Sequence, residues 1–412
     1  MTSSRHSDVN DVGLSEFLRL GHKRFEEVVR GSIILNPVES IVFADDIGVA
    51  SSITHGLYNT DKVRTRDQRR QTDHQFAGRD ELARLSQRVY QAFAKALKAD
   101  AATLRLLSGL NAHQVLFMSL AEPGQTVLLL PVKAGGHTSG APILERLGLR
   151  VVEMVVDLDN RCIDIDATLN LCPSPDFVMV DRSEGIVIED FSALANIPGA
   201  VTIFDASQYL THVITGDHPN PFDIGFDLIL SSTHKNFPGP QKALIATRTV
   251  DETWQRLLRG ISTHVSNMDV TSTIAAGLTL SRRPWLDQYS KGMLAAAVSL
   301  EDELAEHGVP TIRRDRHAVP THHLWISEPS RDKAFNTFEA LERARIMTNF
   351  RKLPYDQGLG LRLGVNTIVR QGIQEVEISQ LAMLIAEIRN CGPTPALRHE
   401  TRDLAQRLWA RV

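Results

Sequence analysis

The chain has 412 residues, of which 42% are hydrophobic and 23% charged, with a formal net charge of -4 at pH 7. That length allows a sizeable core and two domains, and the charge gives no electrostatic reason to expect nucleic acid or an anionic membrane as partner. The opening MTSSRHSDVNDVG lacks the apolar core of a signal peptide, and no run approaches a membrane span. Cys162, Cys172 and Cys391 have neither metal-ligand spacing nor a disulfide pattern, so a cytoplasmic setting, reduced thiols and no bound metal are expected.

In chain order, residues 14–30 carry apolar positions at helical spacing and predict an amphipathic helix; residues 79–98 predict a longer one. Seven short apolar runs follow: TLRLL, TVLLLPV, VVEMVV, FVMVD, VTIFDAS, DLILSS and KALIATR. Most are continuous rather than alternating, which suits strands covered on both faces. Helical stretches at 110–121 and 140–148 lie between the early runs, and this alternation predicts an α/β fold with a mostly parallel seven-stranded sheet. We divide the chain into an N-terminal arm and helix (1–44), a large domain (45–285) and a small C-terminal α+β domain (286–412). The last contains a long helix from YSKGML, strands at HHLWIS and GLRLGVN, and a terminal amphipathic helix at EVEISQLAMLIAEIRN.

In parallel sheets ligands gather at the carboxyl ends of strands. SGLNAH (108–113) follows a strand and opens a helix, where small residues admit an anion; Ser108 also suits a plain N-cap. GGHTSG (135–140) sets His137 between glycines, as a ring-stacking imidazole or as a surface turn. FDASQ (204–208) puts Asp205 at a strand mouth, as counter-ion to a protonated heterocycle or as a helix cap. STHKN (232–236) supplies Lys235, either snorkelling to solvent or tied to an aldehyde as an imine. GLRLGVN (360–366) places Arg362 on an apolar strand, as a carboxylate fork or as an edge residue facing water. The order of these features, with the lysine 30 residues after the aspartate, is more specific than any one of them.

That order resembles pyridoxal-phosphate enzymes of the aspartate-aminotransferase fold (fold type I), and most of all the serine hydroxymethyltransferase family. SGLNAH, GGH, DASQ, THK with GP, and GLRLG match the family's S-G-S-Q-A-N, G-G-H, D-M-A-H, T-H-K with G-P, and G-I-R-V-G. The resemblance implies that Lys235 holds the cofactor as an internal aldimine, that Asp205 pairs with its pyridine nitrogen and that His137 stacks on its ring. It implies that Ser108, Gly109 and Leu110 hold the phosphate, that Ser183 and Gln208 contact the cofactor, and that His234 lies beside the lysine. Arg362 would bind the substrate carboxylate, with Tyr58 also at the substrate and with Tyr58 and Glu39 among the catalytic groups. Small-molecule amino acid and aldehyde substrates are implied, as is a homodimer or homotetramer with shared sites.

The departures bear on function. The family's K-Y-A-E aligns with LYNT (57–60), which keeps Tyr58 but puts Thr60 where the proton-transferring glutamate stands. Its S-E-N becomes VES, keeping Glu39; Y-G-G-C-E becomes FAGRD, with Phe76; and Gln208 replaces a histidine. The family's glycine-rich stretch after the lysine becomes STHVSNMD, with His264 and Asn267. The expected chemistry is cleavage and formation of the Cα–Cβ bond of a β-hydroxy-α-amino acid through a glycine quinonoid. Loss of the acid at Thr60 points to an aldolase or transaldolase with a threonine- or serine-like donor in specialised metabolism. The alternatives are a tetrahydrofolate-dependent serine or α-methylserine hydroxymethyltransferase, an aminotransferase or decarboxylase on the same fold, and a non-catalytic binding protein.

Overall fold

The computed structural model describes residues 13–51, 57–73 and 75–412; the first twelve residues of the expected N-terminal arm lie outside these. Six of the seven apolar runs, together with a short strand that ends where the run TLRLL begins, build one seven-stranded sheet: β1 (Ala101–Thr103), β2 (Thr126–Leu129), β3 (Arg150–Glu153), β4 (Phe177–Val180), β5 (Val201–Asp205), β6 (Leu228–Ser232) and β7 (Ala243–Thr247). Their spatial order is β1-β7-β6-β5-β4-β2-β3. The pairs β2–β3, β2–β4, β4–β5 and β5–β6 are parallel, while β7 runs antiparallel to both β1 and β6. β2, β4, β6 and β7 are buried at every position, as continuous apolar runs require when helices cover both faces.

β1 begins two residues before the run TLRLL and stops at Thr103, the last residue paired with β7. Beyond it Leu104 and Leu106 stay buried in irregular chain, and Arg105 turns to Asp61 and the Val265 carbonyl.

A second sheet holds β8 (His323–Glu328), β9 (Asn349–Lys352) and β10 (Leu359–Gly364), antiparallel in the order β8-β10-β9. The helices Arg283–Glu306, Arg331–Arg343 and Glu375–Cys391 accompany it. The expected terminal helix is not the last. Thr394 accepts a hydrogen bond from the Leu397 amide, Pro395 takes the first turn, and a further helix, Pro395–Trp409, buries Leu397, Leu404, Ala405 and Leu408.

One hydrophobic cluster joins Leu128 and Val180 of the large sheet to Leu324, Leu361 and Leu363 of the small one. Backbone bonds from Ile188 to Val319, from Thr321 to Ile186 and from Tyr355 to Lys133 stitch the two together. The helix Leu14–Arg30 differs: it buries no residue and leaves Leu14, Phe17, Leu18 and Phe25 exposed along one face.

Candidate active site

The carboxyl ends of β2, β4, β5 and β6 bring the strand-end residues together. Asp205 closes β5 and is 6% exposed. It does not cap a helix: its Oδ1 accepts the Ser207 amide at 2.7 Å in a local turn. Its Oδ2 lies 2.7 Å from Nε2 of His113, on the second turn of the helix Gly109–Leu120. On the far side of His113, Nδ1 stands 3.8 Å from Oδ2 of Asp181, the residue after β4. Burial alone would raise the Asp205 carboxyl, but the hydrogen bond and charge of His113 overcome it and hold it near about 2. Burial lowers His113, and its two carboxylate neighbours more than reverse that, so the imidazole is raised. Asp181 is pushed up to about 6 by burial.

Lys235 follows β6 and is half-buried, and its amine has no hydrogen bond or ion pair among the described residues. Its charge acts on Asp205, Asp181, His137 and His234 together, so the five form one electrostatic group. Its backbone is fixed by Asn366, which donates to the carbonyls of Lys235 and Glu39, and by Ser40, which donates to the His234 carbonyl. His137 stands edge-on to His113, ring centroids 6.4 Å apart, and accepts the Ser139 amide at Nδ1. Burial pushes both His137 and His234 down to about 4, so both rings are neutral bases at pH 7. The glycines before His137 are there for space. A side chain on Gly135 would meet the Glu184 carbonyl at 2.0 Å, and one on Gly136 the Leu130 carbonyl at 2.3 Å.

Ser108 caps the helix Gly109–Leu120, accepting the Asn111 amide at 3.2 Å. The first amides of that helix, at Gly109 and Leu110, lack intrahelical acceptors. Gly109 faces Ser232 and Ser207, which a side chain would meet at 3.4 and 3.8 Å. Ser207 in turn accepts the Ser232 amide. Ser183 donates to Asp181 at 3.2 Å. Gln208 is buried on Nε2 of His323.

Arg362 lies on β10, the central strand of the small sheet, and is 3% exposed rather than facing water. Its Nε donates to Asn349 and its Nη1 to the Ser183 carbonyl. Glu184, which no local sequence pattern marks, places its Oε1 3.6 Å from Arg362 Nη1 and 2.7 Å from Arg351 Nε. His113 and Asp181 likewise join the site without an expected role. His113 is the last letter of the quoted SGLNAH motif, placed five residues after the cap; Asp181 shows only as the polar residue ending a buried strand.

Of two further expected residues, Tyr58 makes no contact with the Lys235 group among the described residues, and Glu39 adjoins that group through its backbone. Tyr58 donates to the Ser266 carbonyl, stacks on Phe76 and is 36% exposed. The Glu39 carboxylate points to Asn36, although its carbonyl is tied to Asn366 and Thr367. Tyr58 belongs with Asn267, which accepts the Asn59 amide, and with the buried pair Arg105–Asp61 at 2.9 Å. A cleft of about 930 Å³ bordered by Asp61, Arg105 and Trp254 opens beside this second group.

The first group suits a phosphorylated pyridine aldehyde: an unpaired lysine amine, a carboxylate held ionised, a neutral ring for stacking and helix amides for an anion. His113, Asp181 and Asp205 also offer three ligand atoms within 4.8 Å of one another, a spacing a metal ion could use. The fold and the site together define a pyridoxal-phosphate-dependent enzyme of fold type I. The serine hydroxymethyltransferase family profile matches residues 76–385, and the chain belongs to that family. Similar curated proteins include serine hydroxymethyltransferases of Pyrobaculum calidifontis, 26% identical over 92% of this chain and 89% of that protein, and of Pyrobaculum arsenaticum, 32% identical over 76% and 75%. Among solved structures, L-threonine transaldolase from Pseudomonas fluorescens in its internal aldimine state superposes with a TM-score of 0.86. It covers 95% of this chain and 91% of that one at 19% identity, a likeness of fold.

Proposed function

We propose that the chain is an aldolase or transaldolase that breaks and forms the Cα–Cβ bond of a β-hydroxy-α-amino acid such as threonine. In this reading the half-buried, unpaired amine of Lys235 holds the aldehyde of pyridoxal phosphate covalently. The cofactor, when bound, supplies the sink for the electron pair left on Cα. Asp205, kept ionised by His113, is the counter-ion of the pyridine nitrogen. Ser108, Gly109 and Leu110 take the phosphate, His137 stacks on the ring, and Ser183 and Gln208 line the site. Arg362 holds the substrate carboxylate and so fixes which bond at Cα stands ready to break. His234, neutral at pH 7, can accept a proton beside the lysine.

The observation that favours this reading over folate chemistry is Thr60. It offers a hydroxyl, engaged with the Lys62 amide, where the family pattern has a carboxylate. The second reading, a tetrahydrofolate-dependent hydroxymethyltransferase, is favoured by the names of the curated relatives. Purified protein loaded with cofactor and given threonine and an acceptor aldehyde should turn over at the same rate with and without tetrahydrofolate. Strict dependence on tetrahydrofolate would overturn the first reading and support the second.

We further propose a homodimer or a dimer of dimers with shared sites. Two features support it: Tyr58, Asn267 and the Arg105–Asp61 pair gather apart from the contacts of Lys235, and the helix Leu14–Arg30 keeps an uncovered apolar face. The thiols of Cys162, Cys172 and Cys391 are unpaired, in keeping with a cytoplasmic setting.

A further inference from the structure

Arg362, the arginine placed to receive a substrate carboxylate, already faces a carboxylate of its own chain. Glu184 is 2% exposed and its Oε1 is shared between two guanidinium groups. Its second oxygen, Oε2, is buried without a hydrogen-bond partner among the described residues. The two arginines lie on neighbouring antiparallel strands: Arg362 pairs across to Asn349, and Arg351 sits two positions further along β9, on the same face. Glu184 is closer to Arg351 than to Arg362, by 2.7 Å against 3.6 Å. Arg362 is otherwise held by Asn349 and the Ser183 carbonyl, and its Nη2 has no protein partner among the described residues. The trio therefore carries two positive charges and one negative charge, which leaves one net cation at the substrate-carboxylate position. A buried cluster with that balance fits one carboxylate and disfavours two, because each unmatched buried charge is costly.

We infer that Glu184 is a specificity-determining residue, held off Arg362 by Arg351, which sets the site for amino acids with a single carboxylate and an uncharged side chain. Two consequences separate this role from plain structural support. Removing Arg351 releases Glu184 to close on Arg362, so neutral amino acids bind poorly although Arg351 does not touch them. Removing the charge of Glu184 as well frees Arg362 again, so the double variant regains binding. Removing the charge of Glu184 alone leaves two unopposed guanidinium groups, which favours dicarboxylic amino acids.

The inference rests on the proposed role of Arg362, and the experiment keeps the two apart. Dissociation constants of L-threonine, glycine and L-aspartate are read from the change each makes in the absorption of the lysine-bound cofactor. The proteins are the wild type, Arg351→Gln, Glu184→Gln, the double variant and Arg362→Ala, each matched for cofactor content. We expect Arg351→Gln to weaken threonine and glycine at least about tenfold, the size of a lost charge-assisted contact. The double variant should return to within about threefold of wild type, and Glu184→Gln should shift preference toward aspartate by about tenfold or more. Wild-type binding by Arg351→Gln, or failure of the double variant to recover, would overturn the inference while leaving the role of Arg362 intact, provided Arg362→Ala loses binding. Unchanged binding by Arg362→Ala would overturn both.

Discussion

At the scale of single residues, the feature that organises the site is the chain Asp205–His113–Asp181. A carboxylate buried at a strand end is expensive to keep charged, and the 2.7 Å bond from His113 is what holds Asp205 ionised. Replacing His113 by alanine removes that bond and leaves Asp205 with burial unopposed at Oδ2. The His113→Ala variant should therefore lose its hold on pyridoxal phosphate by about tenfold or more, roughly one charge-assisted hydrogen bond. Equilibrium dialysis against the free cofactor measures this; unchanged affinity would show that Asp205 does not depend on the imidazole. Lys235, Asp205 and His137 were legible as candidates because each follows an apolar run, and Arg362 because it interrupts one; all four have a chemistry that buried chain does not tolerate idly. His113 and Glu184 were not, because their partners come from other strands: Asp181 lies 68 residues from His113 and Arg362 lies 178 from Glu184. No local pattern encodes such a pairing.

Lys242 is the second instructive lysine. It is fully buried, donates to the Asp269 carbonyl at 2.9 Å, and burial brings its amine down to about 8. A lowered amine is a better nucleophile at neutral pH, yet Lys242 is enclosed, whereas Lys235 is half-buried and unpaired.

At the scale of elements, the strands were the most readable part of the chain. Six of the seven apolar runs became strands of one sheet, because a strand buried on both faces leaves a continuous apolar signature; the seventh, TLRLL, gives only Thr103 to the strand that precedes it. The antiparallel placement of β7 between β1 and β6 was not readable, since pairing depends on partners and not on composition. Nor was the last helix, Pro395–Trp409, whose cap Thr394 and apolar positions follow a Gly-Pro break that reads as an ending.

The helix Leu14–Arg30 carries an element-level prediction. Leu14, Phe17, Leu18 and Phe25 recur at helical spacing on a face that nothing in the described chain covers. In the proposed oligomer this face is an interface. Phe17→Glu with Phe25→Glu should move the protein to monomer in sedimentation and abolish turnover together, because in the proposed oligomer each site is completed by its neighbour. A fully active monomer would contradict shared sites.

At the scale of the molecule, the buried histidines set the acid limit of stability. His212, His218, His322 and His323, the last opening β8, are packed together, with ring centroids 4.3–5.8 Å apart along the series. Burial lowers all four, His218 to about 4 and the others well below their ordinary value. Above about pH 6.5 these groups are neutral in both folded and unfolded chain, and no stability is lost through them. As pH falls from about 6.5 toward about 4, the unfolded chain binds protons that the folded one refuses, so stability declines by up to about 1.4 kcal/mol per pH unit for each group. Asp181, raised to about 6, opposes this over part of the same range. The urea midpoint of the cofactor-free protein should therefore fall between pH 7 and pH 5, and His218→Asn should flatten the fall by about one proton's worth. A midpoint independent of pH across that window would mean the cluster is hydrated or already charged.

The proposed chemistry depends on which amine carries the cofactor. Protein loaded with pyridoxal phosphate, reduced with borohydride and digested should show the phosphopyridoxyl group on the peptide containing Lys235, at one label per chain. A label on Lys242 or on surface lysines, or no stoichiometric label at all, would contradict it.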